Sequence, residues 1–119
     1  MTNGQIGGLI GFATLLAVGQ TLFKTAAMAM AKGPNAAAAI LSLLGVPSFW
    51  AALVLYGVAT LLWIYLLQFV PLSRAYPFAA LGFVIVPVFA IVLFGERVTP
   101  TYVMGAALIV AGIVITARA

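Results

Sequence analysis

Residues 49–70 read FWAALVLYGVATLLWIYLLQFV, and Pro71-Leu72-Ser73-Arg74 follows directly. The run holds no charged side chain, and a helix needs about 20 mostly apolar residues to cross the hydrocarbon core of a bilayer. In lipid every backbone N–H and C=O must be paired within the segment, so the run is read as a membrane-spanning helix. Alternating polar positions, the mark of a barrel strand, are missing from it. Pro71 cannot continue the helix, and only a few residues separate it from the next apolar stretch. The second and third spans therefore form a tight antiparallel hairpin.

Working outward, the same criterion gives approximate spans at 5–31, 48–70, 74–95 and 100–118, the first of them carrying Lys24. The expected fold is an all-α membrane protein: one domain, residues 1–119, of four transmembrane helices. Thr99-Pro100 supplies an N-cap and a proline at the first helical position, where the missing N–H costs nothing, and this fixes the start of the fourth span. Between the first two spans, Ala36 to Leu44 is apolar but too short to cross, bounded by Gly33-Pro34-Asn35 and Gly45-Val46-Pro47. It reads as a short interfacial helix. Met1 to Gly8 carries no positive side chain and Lys24 interrupts the approach to Ala27-Met28-Ala29, so the first span is not read as a cleaved signal peptide.

Composition excludes much else. Hydrophobic residues make up 66% of the chain and charged ones 5%, with no His and no Cys, too few charges to cover a soluble domain. With a single acidic residue and no His or Cys, the chain holds no metal cluster, paired carboxylates or nucleophile with a base. Neither enzymatic catalysis nor a cofactor is expected. Lys24, Lys32 and Arg97 fall on one side of the bilayer and Arg74 and Arg118 on the other, which assigns the Lys32 side to the cytoplasm only by the narrowest margin. The net charge of +4 points to lipid headgroups and anionic substrates rather than nucleic acid.

Helices in lipid associate through small residues that let backbones approach. The first span has Gly4, Gly7, Gly8 and Gly11, a face for packing within the chain or against a subunit. The fourth has Gly105 and Gly112 two turns apart, with Leu108 and Ile109 between them. That face is expected to be a subunit interface, since four helices are too few to enclose a transport pathway.

Gly105-Ala-Ala-Leu108-Ile109-Val-Ala-Gly112, Ala75-Tyr76 after Pro71, and Phe94-Gly95-Glu96-Arg97 before Thr99-Pro100 resemble the small multidrug resistance proteins and their relatives in the drug/metabolite transporter superfamily. The resemblance covers nearly the whole chain and implies four-helix subunits working as a dimer. It departs from the drug exporters at two points. The glutamate those exporters place eight residues before the lysine of the first span is Leu16 here, and their tryptophan after Ala-Tyr is Ala79. A buried carboxylate can shuttle protons because burial raises its pKa; a leucine cannot. Gly19-Gln20-Thr-Leu-Phe-Lys24, Leu62-Trp63, Leu67-Gln68-Phe-Val-Pro71 and Ala75-Tyr76-Pro77 are instead similar to the small subunits that flip undecaprenyl-phosphate-linked aminoarabinose. That resemblance implies transport of a polyprenyl-phosphate-linked sugar across the bacterial inner membrane by a homodimer or a heterodimer with a paralogous subunit.

A lipid-linked sugar needs shelter only for its anionic phosphate and polar head. Gln20 and Lys24 share a helical face, and a cation within a span is a functional candidate. Lys24 is assigned to the phosphate; its other reading is a side chain snorkelling to the interface. Arg74 offers a planar fork suited to phosphate or an ordinary anchor. Trp63, Tyr65, Gln68 and Tyr76 are candidates to line a groove for sugar hydroxyls, with the aromatic belt as the competing reading. Pro77 leaves a carbonyl without its helical partner, a possible polar notch beside Arg74. Glu96 is expected to balance local charge or cap a helix end. The rivals are an exporter of cationic or polar metabolites and a membrane assembly partner that transports nothing.

Overall fold

The computed structural model describes residues 1–30 and 32–119. The expected continuation of the first span to Ala31 lies outside the described residues.

The first helix, α1 (Asn3–Ala29), begins with a reciprocal cap. The Thr2 hydroxyl accepts from the Gln5 N–H at 3.1 Å and the Gln5 side chain accepts from the Thr2 N–H at 2.9 Å, which satisfies two of the N–H groups a helix start leaves bare. A short helix, α2 (Ala36–Leu41), is capped by the Asn35 side chain and continues as a 3-10 turn over Ser42–Gly45. Pro47 then opens α3 (Pro47–Leu67). The Trp50 indole donates to the Leu44 carbonyl at 3.0 Å and ties the 3-10 turn to the start of α3.

The third span is broken. It runs as α4 (Leu72–Ala79) and α5 (Gly82–Phe94), joined by a tightened turn in which Ala80 and Leu81 donate three residues back, to Pro77 and Phe78. Together Leu72–Phe94 has a mean hydropathy of 2.6, and with α1, α3 and α6 (Pro100–Arg118) it makes four helical segments long and apolar enough to cross a membrane among the described residues. Gly95 ends α5 at a φ of 66°, a left-handed conformation that favours glycine. Thr99 caps α6 through its hydroxyl, which accepts from the Tyr102 N–H at 3.1 Å, and Pro100 sits in the first turn.

Packing is uneven. α1 packs most extensively on α3, less on α5 and α4, while α6 packs chiefly on the edge formed by α4 and α5. On α3 the buried side chains Ala52, Ala59 and Leu66 recur on one face, opposite Leu9, Ala13 and Ala17 of α1. Such small side chains bring helix backbones together where lipid supplies no hydrophobic drive. A cluster of Leu9, Leu66, Val70, Ala75 and Phe78 closes one end. Thr14, Thr21 and Thr60 return their hydroxyls to carbonyls of their own helices, so these three donors are not left bare to hydrocarbon.

Candidate functional site

Because α6 leans chiefly on α4 and α5 while α1 is held by α3 and α5, a groove remains between α1, α5 and α6. One cavity in it, about 430 Å³, is bounded by Leu16, Ala17 and Gln20 of α1, Tyr56 of α3, Ala79 and Gly82 at the break in the third span, and Phe83, Val86, Pro87 and Tyr102. Irregular backbone at membrane depth is tolerated where it borders a cavity or is buried in protein, and the break between α4 and α5 does border one.

Two hydrogen bonds organise the polar lining. Gln20 Nε2 donates to the Tyr56 hydroxyl across 2.5 Å. This contact is possible because Gly19 lies flat against the Tyr56 ring, where a Cβ would come within 2.4 Å of it. The Phe23 ring packs on the same tyrosine at 5.0 Å. On the other wall, Pro87 has no N–H to give the carbonyl four residues back, that of Phe83. The Tyr102 hydroxyl of α6 donates to that carbonyl at 3.1 Å. The chamber therefore offers neutral donors and acceptors in an otherwise apolar wall.

Charge enters at one end. A cavity of about 270 Å³ shares Gln20 and Val86 with the chamber and is lined also by Lys24, Phe94 and Glu96. A further one of about 440 Å³ carries Glu96, Arg97, Thr99 and Tyr102. Lys24, Glu96 and Arg97 are exposed, and among the described residues no ion pair joins them. The Glu96 backbone N–H donates to the Ala90 carbonyl at the end of α5. The helix end is thus capped by the backbone of Glu96, an exposed residue that borders both cavities.

Of the site residues expected from sequence, Gln20 and Lys24 are brought to this groove. Leu16 and Ala79, the two departures from the drug exporters, line the chamber itself. The others lie elsewhere. Trp63 stacks on Phe12 of α1 with ring centroids 4.6 Å apart and packs against the core cluster. Tyr65 is 59% exposed and meets only the edge of Phe69 at 5.4 Å among aromatic rings. Gln68 sits exposed at the C-cap of α3, and Tyr76 is 67% exposed on α4. Arg74, in the first turn of α4, lies at the end of the bundle opposite Lys24, where its Nη2 donates to the Ala119 carbonyl at 2.6 Å. Tyr56 and Tyr102 are functional candidates that the sequence reading passed over. A hydroxyl placed mid-span in lipid, as at Tyr56, was the available signal.

The expected interface on α6 is open. A Cβ on Gly105 or Gly112 would meet nothing within 4 Å, and Leu108 is 69% exposed. Ile109 and Gly105 border a hollow of about 160 Å³ shared with Phe83 and Tyr102.

A profile of the EamA-like transporter family matches residues 5–118. The probable 4-amino-4-deoxy-L-arabinose-phosphoundecaprenol flippase subunit ArnE of Salmonella typhimurium is 34% identical over 115 residues, 97% of this chain and 99% of that protein. Its Salmonella newport counterpart matches to the same extent. The protein of that name from Pseudomonas aeruginosa is 44% identical over 69 residues, a stretch covering 58% of this chain and 60% of the relative. No solved structure matches the chain.

Proposed function

Since the chain belongs to the EamA-like transporter family, we propose that it is one subunit of a flippase moving a polyprenyl-phosphate-linked sugar across a bacterial inner membrane. The observation that carries this reading is the neutral, hydroxyl-lined chamber, which shares Gln20 and Val86 with the cavity that Lys24 lines. Relatives aligned over nearly the full length are named as flippase subunits, and the geometry suits such a cargo. The prenyl tail stays in lipid. The phosphate meets the Lys24 ammonium at the mouth, where leaving that cation unpaired is costly, and sugar hydroxyls exchange hydrogen bonds with Gln20, Tyr56 and Tyr102.

Proton-driven export of aromatic cations has no such support. With Leu16 and Ala79 in the chamber wall, the place where a carboxylate and an indole would meet a cation is aliphatic. Movement is then facilitated, driven by removal of the lipid on the far side. The groove is open beside α6, and the open glycine face of that helix suits a second four-helix subunit, a copy of this chain or a paralogue.

Binding of a polyprenyl-phosphate sugar to the detergent-purified chain, followed by native mass spectrometry, tests the proposal. Lys24→Ala is expected to weaken binding by about tenfold or more, the loss of a charge-assisted contact. Arg74→Ala, at the other end of the bundle, should leave it within about twofold. Equal binding of ordinary phospholipid and lipid-linked sugar by the unaltered chain would overturn the reading.

A further inference from the structure

A glutamine side chain has several rotatable bonds, and ordering one only when a ligand arrives costs affinity. Gln20 is ordered beforehand. Its Nε2 donates to the Tyr56 hydroxyl at 2.5 Å, and Tyr56 is itself wedged. The Tyr56 ring lies against Gly19, where a Cβ would come within 2.4 Å of it, and the Phe23 ring packs on it with centroids 5.0 Å apart. Gly19 is buried and Gln20 is exposed. The amide therefore stands in the groove while its anchor belongs to the packed seam between α1 and α3. The bond also decides which end of the amide is spent. An amide offers two N–H groups and a carbonyl, and with one N–H given to the phenol, the carbonyl and the second N–H remain for a ligand.

We propose that Tyr56 is a positioning residue that acts through Gln20: its hydroxyl holds the carboxamide in one orientation, and the grip of the chamber on a polar headgroup depends on the pair rather than on Gln20 alone. The inference rests on the flippase reading and sharpens it. At this wall of the chamber Gln20 meets the cargo, and Tyr56 aims it. Gly19 is part of the same device, because a side chain there would push the tyrosine off its partner.

The test compares three lipids on the full chain in detergent by native mass spectrometry: a polyprenyl-phosphate hexose, polyprenyl phosphate without the sugar, and phosphatidylglycerol. Tyr56→Phe keeps the ring and removes the hydroxyl. It is expected to weaken binding of the sugar lipid by about tenfold, while polyprenyl phosphate, held through Lys24, stays within about twofold. Gln20→Leu should have the same effect. Adding Tyr56→Phe to Gln20→Leu should then cost no more than about a further twofold, since the anchor has lost what it holds. A folding defect would lower both prenyl lipids together and would not vanish in the Gln20→Leu background. Undiminished binding of the sugar lipid by Tyr56→Phe, an equal fall in both prenyl lipids, or a second tenfold loss in the double variant overturns the inference and leaves the flippase reading standing. So does equal binding of the two prenyl lipids by the unaltered chain when both are held more tightly than phosphatidylglycerol. Equal binding of all three, or of none, overturns both.

Discussion

Along α1, Gly19 is pressed against the Tyr56 ring and Gly8 against the Leu66 methyls; along α6, a Cβ on Gly105 or Gly112 would meet nothing within 4 Å among the described residues. Both helices carry small residues at spacings that suit close packing; the sequence favours a subunit interface on α6 and leaves the partner of the α1 face open. The difference lies in what stands opposite. α3 presents Ala52, Ala59 and Leu66 to α1 as a buried row, whereas α6 buries only Ile113. In a solvent as apolar as the side chains themselves, small residues mark where backbones approach. They do not say whose backbone. The α1 seam is closed within the chain, and the α6 seam is left for the proposed second subunit.

Substituting the glycines breaks or sharpens this contrast. Gly19→Leu forces a branched side chain into the Tyr56 ring and parts Gln20 from its partner. It should destabilise the detergent-purified chain by about 3 kcal/mol, read as the shift in SDS-induced unfolding followed by circular dichroism. Gly8→Ala places a methyl where the Leu66 Cδ2 stands 2.8 Å away, but a leucine tip can turn aside, so about 1 kcal/mol is expected in the same assay. Gly112→Ala should stay within about 0.5 kcal/mol, while cross-linking to a second subunit falls. Were Gly112→Ala as damaging to the isolated chain as Gly19→Leu, the two seams would not differ in the way the structure indicates.

The four crossings were legible because charge is so sparse that Lys24, Arg74, Glu96 and Arg97 punctuate the apolar runs. Thr99-Pro100 announced a helix start that the Thr99 hydroxyl makes. The break at Ala80 and Leu81 was not legible. Both residues are ordinary in helices, and the interruption lies between Pro77 and Pro87 without coinciding with either. For the site, the Gln20 and Lys24 face could be read from four-residue spacing within one helix. The Tyr56 partner lies 36 residues away, a proximity that only the α1–α3 packing creates. Trp63 shows the converse: its Leu-Trp setting suggested a groove, and in the fold it stacks on Phe12, partly buried against the core cluster.

Pro87 leaves the Phe83 carbonyl to be answered from another helix, and Tyr102 answers it. Any swing of α6 away from α5 uncovers that oxygen in surroundings without water, at a cost of several kcal/mol. Outward motion is therefore less costly when something in the chamber can donate a hydrogen bond to the abandoned acceptor. A sugar hydroxyl can and a hydrocarbon chain cannot. A polar occupant could therefore stand in for Tyr102 at that carbonyl, and an acyl tail from the bilayer could not.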